Sequence, residues 1–314
     1  MGLRLKKIKF SSRELTLLIL IGLVVVVATV FKGNAFFNIK NFEAILIGIT
    51  YDLLIALGMT LVLVLGGIDL SVGSVLAFTG VITTQLLQGG VSIWLSILAG
   101  LGAAGLIGAM NGFMIVRAHI PPFVMTLGSM SVFRGLCYVM TSGYFVNKLP
   151  EAYVHLGRGD IFSVPNIVVI SLVVLLIFAL LIKKYKNFWQ MFYIGANPEA
   201  AFLSGIPSAY LVVLGYFLSS FLAGSAGILM TSRLAMGHAG FGIGAELRAI
   251  AAAVIGGASL HGGEGSIIGT FLGVIVIALI NNVFVMFNGS PNWQAAISGV
   301  ALLIALSIDV VESL

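Results

Sequence analysis

Long apolar runs separated by short polar breaks set the pattern of this chain. One run covers about residues 15–31 and a second about 42–65. The break Gly66-Gly67-Ile68-Asp69-Leu70-Ser71 separates the second from a third, which continues to about Leu86. Further runs follow at 93–116, from Pro121-Pro122 to about Thr141, and at 166–182, 209–230, 267–287 and 293–310. A short Ala-rich run at 247–255 is bounded by glycines. About 20 apolar residues cross the hydrocarbon core as a helix, whereas barrel strands alternate apolar and polar positions. The pattern therefore predicts an all-α, polytopic transmembrane helical bundle of about ten spans, one domain over residues 1–314, with broken helices.

Composition strengthens this reading. Hydrophobic residues make up 60% of the chain and charged residues 9%, against roughly 25% charged in soluble domains. A soluble fold could not hide that much apolar surface. The net charge of +5 sits in short clusters beside the spans, so it orients the chain and does not indicate nucleic acid. Arg4, Lys6, Lys7, Lys9 and Arg13 place residues 1–13 in the cytoplasm. Six crossings later, Lys183, Lys184 and Lys186 fall on the same side, which makes 183–207 a cytoplasmic loop and 142–165 an external one. The run at 15–31 is too long for a signal peptide and lacks a small-residue cleavage pattern, so it reads as a retained first helix.

Candidate chemistry removes several function classes. Cys137 is the only cysteine, which excludes an internal disulfide and a cysteine metal site. His119, His155, His238 and His261 are scattered without metal-ligand spacing. No nucleophile, base and orienting group occur together, so no catalytic residue is expected. No Gly-Lys-Ser/Thr phosphate loop is present, and Gly100-x-Gly102-x-x-Gly105 lies inside an apolar run with no strand before it. Gly100, Ala104, Gly108 and Gly112 recur every four residues, a spacing that lets helix backbones approach closely. Asn288-Gly289-Ser290 fits a glycosylation pattern that is common by chance.

Three stretches stand out. In 66–74, two glycines stop one helix and Asp69 or Ser71 can cap the next. An ionisable residue between apolar spans is also a functional candidate, so Asp69 reads both ways. In 195–207, Asn197 caps a short helix, Pro198 opens it, Glu199 complements its positive start, and Gly205 and Pro207 end it. Either a partner holds this helix or it rests on lipid. In 246–266, a short helix is flanked by the pairs Gly256-Gly257 and Gly262-Gly263. Broken helices at membrane depth are tolerated where they are buried in protein or line a cavity, and their ends can bind polar solutes.

At these stretches the chain resembles the permease subunit of bacterial sugar importers of the ATP-binding-cassette type, the ribose/xylose/galactose group. The likeness covers roughly 41–310 and rests on GGIDLSVGS at 66–74, IPPFVMTLGSM at 120–130 with Arg134-Gly135, GANPEAAFLSGI at 195–206 and ELRAIAAAVIGGASLHGGEGS at 246–266. Two positions depart from the family's usual pattern: Ala196 stands where Gly is usual, and Arg248, a reversed charge, where Asp is frequent.

The resemblance implies a multi-pass bacterial inner-membrane protein that pairs with a second permease copy or a sister permease. It also implies a cytoplasmic ATP-binding subunit, which would hold the ATP and Mg, and an external solute-binding protein; no cofactor is expected in this chain. Gly195, Asn197, Pro198, Glu199, Ala200, Ala201 and Gly205 would then form the helix that couples to the ATPase. An uncharged sugar needs hydrogen-bonding groups in an apolar bundle, and Asp69, Ser71, Asn111, Thr126, Glu246 and Asn281 can supply them. Asn111 and Asn281 could equally pair between helices. The alternatives are the same architecture carrying a nucleoside or furanose-like signalling molecule, an ion-coupled secondary transporter and, less plausibly, a membrane enzyme.

Overall fold

The computed structural model describes residues 12–289 together with Trp293, Ala296, Gly299, Val300 and Leu303. Most of the expected span at 293–310, the basic residues Arg4, Lys6, Lys7 and Lys9, and Ser290 of the glycosylation pattern lie outside those residues. The described helices are α1 (Ser12–Lys32), α2 (Ile39–Val64), α3 (Val72–Gln88), α4 (Ile93–Arg117), α5 (Pro122–Thr141), α6 (Glu151–Arg158), α7 (Asn166–Lys184), α8 (Lys186–Ala196), α9 (Pro198–Leu203), α10 (Ser208–Leu234), α11 (Ala245–Ile255) and α12 (Ile267–Met286). Among the described residues, seven of them (α1, α2, α4, α5, α7, α10 and α12) are long and apolar enough to cross a membrane, and α3 is a shorter apolar helix. With the short α11, this agrees with the bundle expected from the hydropathy pattern.

The two most enclosed long helices, α2 and α10, form the centre, and α10 packs on α2, α3 and α4. Gly100, Ala104, Gly108 and Gly112 all lie on the buried face of α4. A Cβ at Gly108 would overlap the carbonyl oxygen of Tyr216, and one at Gly112 would lie 2.7 Å from the Cα of Val213. Small residues thus bring α4 and α10 to backbone contact, where dispersion replaces the missing hydrophobic drive in lipid. At the end of the bundle away from α9, α6 clamps α10. The Tyr153 hydroxyl donates to the carbonyl of Ile228 (3.0 Å) and lies 2.7 Å from Thr231 Oγ1. Burial pushes its pKa above the usual phenol value.

Both glycine-pair breaks end a helix in the same way. After α2, Gly66 takes a left-handed φ of 78° while its N–H donates to Leu63 and that of Gly67 to Val62. After α11, Gly257 repeats this at φ 96°, donating to Val254, and Ala258 donates to Ala253. This closure satisfies carbonyls that would otherwise be orphaned at the helix end.

A third departure from helix lies between α10 and α11, where residues 235–244 form a succession of turns along α3. Gly237 meets the side chain of Thr84, Ala239 packs with Ala77 and Val81, and Gly242 touches Gly73. The loop at 183–207 also contains the unforeseen helix α8, and the loop at 142–165 contains α6 and a two-residue hairpin, 160–161 with 164–165.

Gly108→Val should destabilise the assembled bundle by about 1–3 kcal/mol, the usual cost of overpacking a tight contact. The midpoint of thermal unfolding in detergent checks this. An unchanged midpoint would refute the backbone contact.

Candidate functional site

Four of the six residues proposed for a polar pathway come together at the α2–α3 break. Asp69 is fully buried. Its Oδ1 accepts from the Ser71 N–H at 3.0 Å and the Ser71 hydroxyl at 2.5 Å, and its Oδ2 accepts from the Ser219 hydroxyl on α10 at 2.9 Å. Asn111 on α4 donates to Ser71 Oγ at 3.1 Å, and Thr126 on α5 donates to the carbonyl of Ile68 at 3.1 Å. One carboxylate therefore pins the break to α10 directly and to α4 through Ser71, while α5 holds the turn itself. Ser71 occupies the N-cap position of α3, but its side chain is turned to Asp69 and does not cap the helix. The arrangement is that of an anchor, with the Asn111 amide oxygen left buried and without a partner among the described residues.

The other two candidates lie elsewhere. Glu246, in the first turn of α11, accepts from the Gly244 N–H at 3.2 Å, and its second oxygen faces Gly73 on α3. Asn281 lies in the outer part of α12, partly buried and away from the Asp69 group. Its neighbour Asn282 donates to Asn41 at 2.7 Å.

The residues assigned to coupling form the expected element. The Asn197 side chain accepts from the Ala200 N–H at 2.9 Å, Pro198 is the first helical residue, and Glu199 lies in the first turn of α9. Gly205 closes the helix at φ 73°. Ala201 packs inward, whereas Phe202 and Leu203 are 74% and 78% exposed, a pair of apolar side chains left open by the described residues. Behind α9, the three glycine-rich stretches meet backbone to backbone. A Cβ at Gly195 would overlap the Val64 carbonyl and the Gly263 N–H, which are themselves hydrogen-bonded at 2.9 Å. A Cβ at Gly262 would crowd both Gly66 and Gly195, each at about 3 Å. α9 is thus mechanically continuous with both helix breaks. The start of α1 reaches the same end of the bundle, where Glu14 accepts from Ser266, the N-cap of α12, at 3.0 Å.

Two charged contacts inside the bundle were missed or left open by the sequence reading. Arg134 on α5 donates through Nη1 to the carbonyls of Ala239 (2.5 Å) and Phe241 (2.6 Å), and so holds the segment at 235–244 on α3. Arg248, the charge-reversed position, pairs with Asp52 on α2. Its Nε lies 3.1 Å from Asp52 Oδ2 and its Nη2 3.1 Å from Oδ1, the fork geometry of a strong guanidinium–carboxylate pair. The reversed charge therefore has a partner. Asp52 is an ionisable residue within an apolar run, which is a signal readable from sequence. Nothing in the sequence points to Ser219.

Comparison with known proteins follows this geometry. The model of a family described as branched-chain amino acid transport system / permease component matches residues 41–306. The ribose import permease protein of Bacillus subtilis (strain 168) is 35% identical, over 97% of this chain and 95% of its own length. The L-arabinose transport system permease protein of Escherichia coli (strain K12) is 33% identical, over 92% and 89%. The D-allose transport system permease protein of the same organism is 30% identical over the same shares. No solved structure matches.

Asp69→Ala would leave the Ser71 N–H and the Ser71 and Ser219 hydroxyls without their acceptor, at about 1–3 kcal/mol for each group left unpaired. Its unfolding midpoint should fall clearly below that of the parent, with Asp69→Asn between the two. Equal midpoints for all three proteins would show that the carboxylate anchors nothing.

Proposed function

The chain belongs to the branched-chain amino acid transport system / permease component family, and from that membership we propose that it is the membrane-spanning permease subunit of an ATP-driven importer for a monosaccharide of the pentose or hexose class. The chain is a multi-pass inner-membrane protein. Relatives named as ribose, L-arabinose and D-allose permeases, each aligned over at least 89% of its length, support a sugar as the solute.

The observation that carries the coupling part of the proposal is the contact of Gly195 with Val64 and Gly263 directly behind the capped helix α9. In this reading α9 faces the cytoplasm, residues 1–13 lie on that side, and the exposed Phe202 and Leu203 seat on a separate ATP-binding subunit. That subunit binds ATP and Mg and hydrolyses the nucleotide; this chain performs no hydrolysis. When two such subunits close, they displace α9. Because Gly195 has no side chain to give way, the displacement passes to the end of α2 and to the loop before α12. The Asp69 anchor makes the α2–α3 turn move with α10 and α4 as one body, which suits rocking between inward- and outward-open states. A second permease, either another copy or a sister chain, completes the pathway. An external solute-binding protein delivers the sugar to the opposite face.

Proteoliposomes containing the permease and its purified ATPase subunit should take up sugar only with ATP inside the compartment that holds the ATPase. Uptake that needs no ATP and follows an ion gradient would overturn the importer reading. Gly205→Leu forces a branched side chain into a left-handed backbone at the end of α9, in space that is otherwise open. It should lower the ratio of sugar transported to ATP hydrolysed several-fold while the complex still assembles. An unchanged ratio would remove α9 from the coupling route.

A further inference from the structure

The Asp69, Ser71 and Ser219 side chains at the α2–α3 break are occupied with one another, which raises the question of what the solute meets on its way through. The Asp52–Arg248 pair answers to a different description. Asp52 lies twelve residues from the end of α2 at Val64 and thirteen from its start at Ile39. At 1.5 Å per residue that is roughly 18 Å from either end, midway through the span. Yet the pair is not sealed in: the side chains of Arg248 and Asp52 keep 23% and 15% of their surface open to the outside of the chain. An ion pair at that depth is too costly to present to hydrocarbon, and such residues face protein or water-filled space.

Gly48, one turn nearer the far end on the same face of α2, is exposed, and a Cβ built there meets no atom within 4 Å. The face thus carries open room beside a charged pair at mid-depth.

We propose that this face of α2, with Arg248 of α11, lines the solute pathway, and that the Asp52–Arg248 pair is a mid-membrane station that hydrogen-bonds the hydroxyls of an uncharged polyol; the identity of the solute rests on the importer reading above. The chemistry fits. A paired guanidinium and carboxylate present donors and acceptors side by side, matching adjacent hydroxyls that both accept and donate. The pair is neutral overall, so a neutral solute can bind and leave without stranding a charge.

The test uses the full-length permease assembled with its ATPase in membrane vesicles, with the buried Cys137 replaced by Ala so that single reporter cysteines can be introduced. Gly48→Cys should react with a charged, membrane-impermeant methanethiosulfonate at least about tenfold faster than Leu106→Cys, whose site is 73% exposed on the apolar outer side of α4. These reagents attack thiolates, which form in water and not in lipid. Equal, slow labelling of the two would overturn the proposal, as would oxidative linkage of Gly48→Cys to a second copy without labelling, which would make this face a subunit contact. The second arm measures uptake of D-ribose, L-arabinose and D-allose. The double variant Asp52→Asn/Arg248→Gln, which strands no charge, should raise KM for the transported sugar about tenfold or abolish uptake. An unchanged KM would remove the station from the pathway. If the parent protein carries none of the three sugars while Gly48→Cys labels rapidly, the choice of solute fails and the pathway face stands.

Discussion

A peptide group taken out of water without a partner costs several kcal/mol, and helices meet that requirement in a bilayer only while they remain helices. This chain leaves the helical ladder three times inside its bundle: at 65–71, at 235–244 and at 256–266. Each departure has to be satisfied by something other than water, and the side chains that do so organise the molecule. Left-handed glycines recover the last carbonyls of α2 and α11. The Asp69 carboxylate takes the Ser71 N–H. Arg134 takes two carbonyls of the segment at 235–244, and Val146 exchanges a pair of backbone bonds with Gly237.

The same requirement produces the contact behind α9. Where the breaks approach each other, their backbones satisfy one another, as the Gly263 N–H does with the Val64 carbonyl. Only glycine at 195 allows the segment before α9 to lie against that bond. Close packing of this kind leaves nothing that can rotate out of the way. The turns that interrupt two spans and the contact with the segment before α9 are therefore one structure. The Arg248–Asp52 pair shows the complementary case. Removing one partner of such a pair would strand a buried charge, so an Arg at this position is tolerable only with an acidic residue opposite it, and α2 supplies Asp52.

Much of this was legible in the chain itself. The spans, the capped helix at 197–205 and the glycine-pair breaks follow from hydropathy, propensity and capping chemistry, all local properties. The small-residue spacing of α4 correctly marked its packing face. The course of 235–244 along α3 was not legible. Glycines at 237, 240, 242 and 244 announce a non-helical stretch, but whether it lies outside the bundle or along α3 depends on Arg134, about a hundred residues away. The amphipathic helix α8 was read as polar loop because its apolar face is interleaved with Lys186, Asn187 and Gln190.

The six residues chosen for a pathway show the same division. Their polarity in an apolar context was visible, and four of them do gather around one turn. Their orientation was not visible, because it is set by the helices that converge there: Ser219 of α10 claims one carboxylate oxygen of Asp69, and Asn111 of α4 claims Ser71. What the sequence by itself determined is where helices start, stop and face lipid, since those choices are made by neighbouring residues along the chain and by the solvent. What only the tertiary structure decided is which polar groups are spent on holding the breaks and which remain open, as at Asp52 and Arg248. The reason is physical: in a medium without water, a buried polar group can only be satisfied by a complementary group in space, and spatial neighbours such as Asp52 and Arg248 stand almost two hundred residues apart in the chain.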